Sequence, residues 1–253
     1  MSWLGKVVGG TIGFAIGGPV GAVAGASFGH MFVDEEAGGT RTIVKNSNRL
    51  SNGETAQMTF FVASFSMLAK LIKADGQILE SEIQTVRQFM LDDLHLNAQS
   101  RLAAEHIFQA AMDSNESFEN FAIQFYQHFN NQPQFLELML DILFRVALAD
   151  GALHAAEERL IKSAADIFKF SNDVYLQFKT RYTPDSDKYY TILGCSNSDS
   201  DDKIKSQYRK MVRDFHPDTI ASKGLPEEFV TFAKDKFMEI HEAYEVLRKE
   251  RNM

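Results

Sequence analysis

The sequence predicts an all-α protein, and three observations carry that prediction. Proline is scarce, at 5 of 253 residues, and phenylalanine abundant, at 21, a balance that favours packed helices over a loop-rich fold. Apolar residues recur at three- and four-residue spacing through most of the chain, as in Phe118, Phe121, Phe125 and Phe129, which read as a core stripe. An uncharged N-terminal run reads as a helix of membrane type. The expected order is a glycine-rich membrane helix at 1–33, a polar linker at 34–53, a helical bundle at 54–182 and a helical hairpin domain at 187–253.

Between Lys6 and Asp34 there is no Asp, Glu, Lys or Arg. Such a run is long enough to cross a bilayer, which takes about 20 residues. Interruption by glycines and Pro19 sets it apart from a secretory signal. Gly5, Gly9, Gly13, Gly17, Gly21, Gly25 and Gly29 recur at every fourth position, which lays a smooth strip along one side of a helix. A neighbouring backbone approaches closely along such a strip, so pairing into a homodimer through this segment is expected. In water each interior glycine costs about 1 kcal/mol relative to alanine. In lipid, unpaired backbone groups are penalised and helicity is enforced. The competing readings are a flexible tail, or a soluble helix clasped by another part of the protein. Pro19, beside Gly17 and Gly18, stands where it would break the run into two short helices.

The middle segment contains an internal echo. Leu71-Ile72-Lys73-Ala74-Asp75-Gly76-Gln77-Ile78 is repeated as Val146-Ala147-Leu148-Ala149-Asp150-Gly151-Ala152-Leu153, with Glu82 matching Glu157 and Val86 matching Ile161. Each copy reads as an apolar helix, an Asp-Gly turn and a second helix opening with an acid. The pattern resembles the all-helical, internally duplicated TerB-like domains. That resemblance implies a possible divalent metal held by acids at these turns, here Asp75, Glu82, Asp150 and Glu157; oxygen ligands suit calcium or magnesium. Helix capping explains the same spacing without an ion, since Gly76 and Gly151 suit a left-handed helix stop and Glu82 and Glu157 an N3 cap.

Towards the C-terminus, Ile204, Tyr208, Met211, Val212 and Phe215 form one apolar stripe, and Phe237, Ile240, Tyr244 and Leu247 a second. Pro217 ends the first helix, which places His216, Pro217 and Asp218 at the tip of an antiparallel hairpin. With Tyr190-Thr191-Ile192-Leu193-Gly194 ahead of it, this region resembles the J domain of DnaJ-type co-chaperones. The resemblance implies a DnaK-type chaperone as partner, an ATPase trigger in His216, Pro217 and Asp218, and docking through the second helix by Lys205, Tyr208, Arg209, Lys210 and Arg213. Clustered cations speed encounter with an acidic patch and fix its orientation. Asp214 and Thr219 depart from the pattern, at positions where many J domains carry a cation.

The formal charge of −8 argues against general nucleic-acid binding. From Asp187 onward Lys and Arg number 12 against 13 acids, leaving 14 against 21 elsewhere, so the acidity belongs mostly to the middle of the chain. The single cysteine, Cys195, excludes an intramolecular disulfide framework and a cysteine-rich zinc site. No nucleophile–base pair, phosphate loop or metal triad points to an enzyme.

Anchor, TerB-like domain and J domain in this order resemble the DjlA type of membrane-anchored DnaJ-like protein. The resemblance implies a regulatory co-chaperone at the bacterial inner membrane with the bulk of the chain in the cytoplasm. Two alternatives stand beside it: a metal-responsive stress sensor acting through the acidic middle domain, and a structural protein that organises membrane.

Overall fold

The structure, a computed structural model, describes residues 3–4, 16–29, 50–76, 79–149, 151–182 and 188–253. Among them all regular structure is helical. The helices are α1 (Gly18–Gly29), α2 (Asn52–Ile72), α3 (Glu80–Gln88), α4 (Ala98–Asp113), α5 (Phe118–Phe129), α6 (Pro133–Ala147), α7 (Ala155–Ile167), α8 (Asn172–Arg181), α9 (Lys188–Ile192), α10 (Asp201–Asp214), α11 (Pro217–Ser222) and α12 (Glu227–Glu250). A π turn, Phe89–Asp93, continues α3. Ser51, Asn97, Ser117, Ser171 and Ser200 each accept the backbone N–H three residues on, which satisfies a donor the helix start leaves unpaired.

The bundle is built around α2, which packs against α1, α4, α5, α6 and α7. By length and composition α2 is apolar enough to cross a membrane, but 78% of its apolar window is buried within the protein. It is a core helix. Phe60 is enclosed by the rings of Phe125, Phe129, Phe135 and Phe229, with centroids 4.9–5.8 Å away in edge-on arrangements. Pairs of that geometry add about 0.5–1.5 kcal/mol each beyond area burial. Phe118, Phe121, Phe125 and Phe129 are all buried, as their spacing predicted.

The internal echo is structural. Helices α2 and α3 form one copy, α6 and α7 the other. Gly76 and Gly151 adopt φ +83° and +91°, so in each copy the turn that follows the helix cap at Lys73 or Leu148 ends on a glycine in the left-handed region. Glu82 accepts the Leu79 N–H at 2.9 Å, and Glu157 accepts the His154 N–H at 3.2 Å. Both acids therefore serve as caps at the start of α3 and α7.

Within the glycine run, α1 is a short helix that packs against the rest of the protein. Val20, Val23, Ala24 and Phe28 are buried at 2% exposure or less against α2, α4 and α5. Ile16 and Gly17 lie outside the helix, which begins at Gly18 with Pro19 in its first turn. At 12 residues and about 1.5 Å each, α1 is about 18 Å long, short of the ~30 Å hydrocarbon core. Its glycines make no uniform strip. A side chain on Gly21 would lie 1.7 Å from the Ile16 carbonyl oxygen, Gly25 faces open space, and Gly29 ends the helix. Gly5, Gly9 and Gly13 lie outside the described residues, as does the linker from 34 to 49.

The C-terminal hairpin departs from expectation in one respect. Pro217 does more than end the first helix at a tip: it is the first residue of α11, a six-residue helix. The loop that follows is short, and α12 starts at Glu227, ten residues before the predicted stripe. The extra turns carry Phe229, Phe232 and Lys236 into the bundle, while Ile240, Ala243 and Leu247 further along are the buried residues of the stretch where α12 packs with α9 and α10. One helix thus belongs to both domains.

Candidate functional site

The tip of the hairpin is shaped by local hydrogen bonding. Phe215, 1% exposed, ends α10 and fixes the chain in the core. His216 then takes an extended conformation and caps α11, its Nδ1 accepting the Asp218 N–H at 3.2 Å. The imidazole edge rests on Phe237, ring centroids 5.6 Å apart and nearly perpendicular. His216 is about half exposed, and the Asp218 side chain is 95% exposed. The trigger residues are thus held by the fold but open to a partner.

Phe237 is the end of an aromatic row that the periodicity did not reveal. It meets His241 at 4.5 Å, His241 Nδ1 shares a 2.8 Å hydrogen bond with the Tyr208 hydroxyl, and Tyr208 stacks on Tyr244 at 3.8 Å. Phe237 and Tyr244, expected in the core stripe, lie on the flank instead, with Ile240 and Leu247 inside. The row ties α10 to α12 and reaches His216. On the outer face of α10, Arg209, Lys210 and Arg213 are exposed and Lys205 is half-buried. Asp214 lies 3.9 Å from Arg213, which lowers the net positive charge at this end.

The base of the hairpin is fixed to the bundle by a buried ionic knot. Asp141 of α6, 3% exposed, pairs with Arg181 of α8 at 2.9 Å and with Lys236 of α12, itself 6% exposed. The Tyr182 hydroxyl donates to the Asp141 carbonyl oxygen at 3.2 Å. Lys236 also sits over the ring of Phe215, 5.0 Å from its centroid. Beside the knot, burial pushes the Glu137 carboxyl up, opposed by Lys236, Arg181 and Lys210. Sequence reasoning missed these residues, although a signal existed. Asp141 is a lone acid in the buried stretch Leu138–Phe144, and Lys236 occupies a place in the Phe229–Phe232–Ile240 row where an apolar residue is expected.

The echo turns meet around a cavity of about 50 Å³ lined by Ile72, Ser81, Glu82, Thr85, Val146, Ala147, His154 and Glu157. Glu82 and Glu157 come together there, but each is engaged with a backbone N–H. Asp75 ends its copy of the turn, and Asp150 lies outside the described residues. Among the described residues no group of three or more His, Cys, Asp or Glu is arranged to hold a metal.

Comparison with known families divides the chain in the same way. Residues 1–41 match the co-chaperone DjlA transmembrane domain, 61–179 the tellurite resistance protein TerB, and 188–252 the DnaJ domain. The curated relatives include the co-chaperone protein DjlA of Coxiella burnetii, 29% identical over the whole of both chains. That of Photobacterium profundum is 29% identical over 98% of each, and that of Shewanella oneidensis 29% identical over all of both. No solved structure matches the chain.

Proposed function

Because the chain belongs to the DjlA type of DnaJ-like proteins, with a DjlA transmembrane domain, a TerB domain and a DnaJ domain in order, we propose that it recruits a DnaK-type chaperone to the inner membrane and stimulates its ATPase. The observation that carries this reading is the exposed tip, where His216 caps α11 and presents Asp218 to solvent. The protein is a regulator, and hydrolysis takes place on the partner.

The roles follow from the geometry. Arg209, Lys210 and Arg213 form the face of α10 that attracts an acidic surface, a contribution mainly to encounter and orientation. The Asp199–Lys203 pair, 2.7 Å apart in the first turn of α10, withdraws Lys203 from that face. Once docked, His216 and Asp218 meet the partner with orientations already fixed, so little entropy is lost on binding. The knot at Asp141 keeps the other side of the J domain against the bundle, which leaves the tip facing outward. In the membrane the N-terminal segment anchors the chain, the bulk of which faces the cytosol where DnaK-type chaperones act.

Steady-state ATP hydrolysis by a DnaK-type chaperone, with and without the full chain, tests the reading. Stimulation is expected and His216→Gln is expected to abolish it, while the circular dichroism of the variant stays that of the wild type. Stimulation unchanged by His216→Gln would refute the trigger assignment.

A further inference from the structure

The groove between α2, α4 and α5 is a built receptor for the N-terminal helix, and its detail exceeds what apolar collapse requires. Gln124 of α5 reads the start of α1 with both ends of its amide. Its Nε2 donates to the Gly17 carbonyl at 2.7 Å, and its Oε1 accepts the Val20 N–H at 2.9 Å. One side chain therefore satisfies an acceptor before the helix and one of the four N–H groups that its first turn leaves open. The fit depends on glycine. Gly18 has φ +71°, and a side chain there would lie 2.8 Å from the Gln124 Oε1. Gly21 leaves room for the Ile16 carbonyl to fold across the first turn. At the other end, Ser27 Oγ lies 2.8 Å from the Val23 carbonyl and 3.3 Å from that of His106 on α4.

A segment that matches a transmembrane domain thus packs in a site that reads its backbone. We propose that the TerB domain is an intramolecular receptor for residues 16–29, which exchange between this groove and the lipid bilayer. The groove shields Val20, Val23, Ala24 and Phe28 from water before insertion, and the bilayer competes for the same apolar residues. The exchange reaches the J domain as well. Trp3 packs on Phe61 at 5.2 Å, and Phe61 meets Phe229 of α12 at 6.1 Å. Withdrawal of the N-terminus therefore removes one side of the aromatic cluster that holds the start of α12.

This inference rests on the membrane reading of residues 1–41, and two readouts keep the two apart. Hydrogen exchange of the full chain in lipid-free buffer reports docking: protection of the amides of residues 20–29 is expected, and their exchange at the rate of an unstructured peptide would overturn the proposal. Flotation with phosphatidylethanolamine–phosphatidylglycerol vesicles reports anchoring. Bound protein is expected to lose the solution protection pattern at Gln124 and its neighbours on α5. Retention of that pattern on vesicles would overturn exchange while leaving anchoring intact, and absence of flotation would overturn both. Gln124→Ala removes the two amide contacts and is expected to raise vesicle partition about tenfold, from the usual worth of two such hydrogen bonds. Unchanged partition, with wild-type exchange elsewhere, would show that the clamp plays no part.

Discussion

Replacing Asp141 by Asn is expected to destabilise the protein by about 3–5 kcal/mol, the usual result of removing one charge from a buried pair. The carboxylate is shared between Arg181 and Lys236, and all three side chains are 11% exposed or less. Asparagine keeps the shape and one acceptor oxygen, but it takes away the charge that Arg181 and Lys236 share and leaves Glu137 as the nearest buried acid to offset them. The rings of Phe215 and Phe178 lie against Lys236 in wild type and variant alike, so they do not offset the loss. For a chain of this size about 3 kcal/mol corresponds to a fall of about 6–12 °C in Tm. Lys236→Met should cost less, because Arg181 remains to pair with Asp141 and the methionine suits the apolar row. The assay is guanidinium unfolding of wild type, both single variants and the double variant. Since Asp141 and Lys236 sit in different domains, their coupling of about 1–3 kcal/mol measures how firmly the J domain is fixed. Asp141→Asn within about 0.5 kcal/mol of wild type, or strictly additive single effects, would refute the knot as a fastening between domains.

Two further predictions concern smaller features. Glu82→Ala and Glu157→Ala are each expected to cost about 1 kcal/mol by removing a cap, with thermal melts that do not respond to calcium in wild type or variants. Calcium stabilisation of the wild type that either substitution removes would restore the metal reading of the echo. Burial, with Asp199 adding to it, pushes the Cys195 thiol up to about 11. At pH 8 only about one native molecule in a thousand carries the reactive thiolate, so maleimide should label the folded protein far more slowly than the denatured one. Labelling then rises as the pH approaches 11 or when denaturant is added, and rapid labelling of native protein at pH 8 would contradict the burial.

The long α12 explains how one fold serves two purposes. At about 1.5 Å per residue its 24 residues run about 36 Å, enough to pack on the bundle with one half and on α9 and α10 with the other. Phe229 fills the bundle core beside Phe60, Phe61 and Phe65, while Phe237 supports His216 two turns later. A shift of the first half is thereby carried towards the tip through a rigid element. Under the exchange proposed above, α12 is the element that joins the N-terminal segment to the residues that meet the partner.

The sequence by itself determined the helical class, the echo, the hairpin and the residues at its tip, because each is written in local signals. Helical spacing marks the stripes, Gly76 and Gly151 mark left-handed stops, and Pro217 forces the turn that sets His216 apart. Local signals also carried the caps at Glu82 and Glu157. What they did not decide is which surfaces meet. That Lys236 pairs with Asp141, 95 residues away, depends on a burial that no window of neighbouring residues contains. The same holds for Gln124 and the start of α1. The glycine run satisfies its apolar residues equally by lipid or by a protein groove, since both exclude water, and composition alone does not distinguish them. What only the tertiary structure adds is a groove of matching shape, with a side-chain amide placed where a helix start has unpaired backbone.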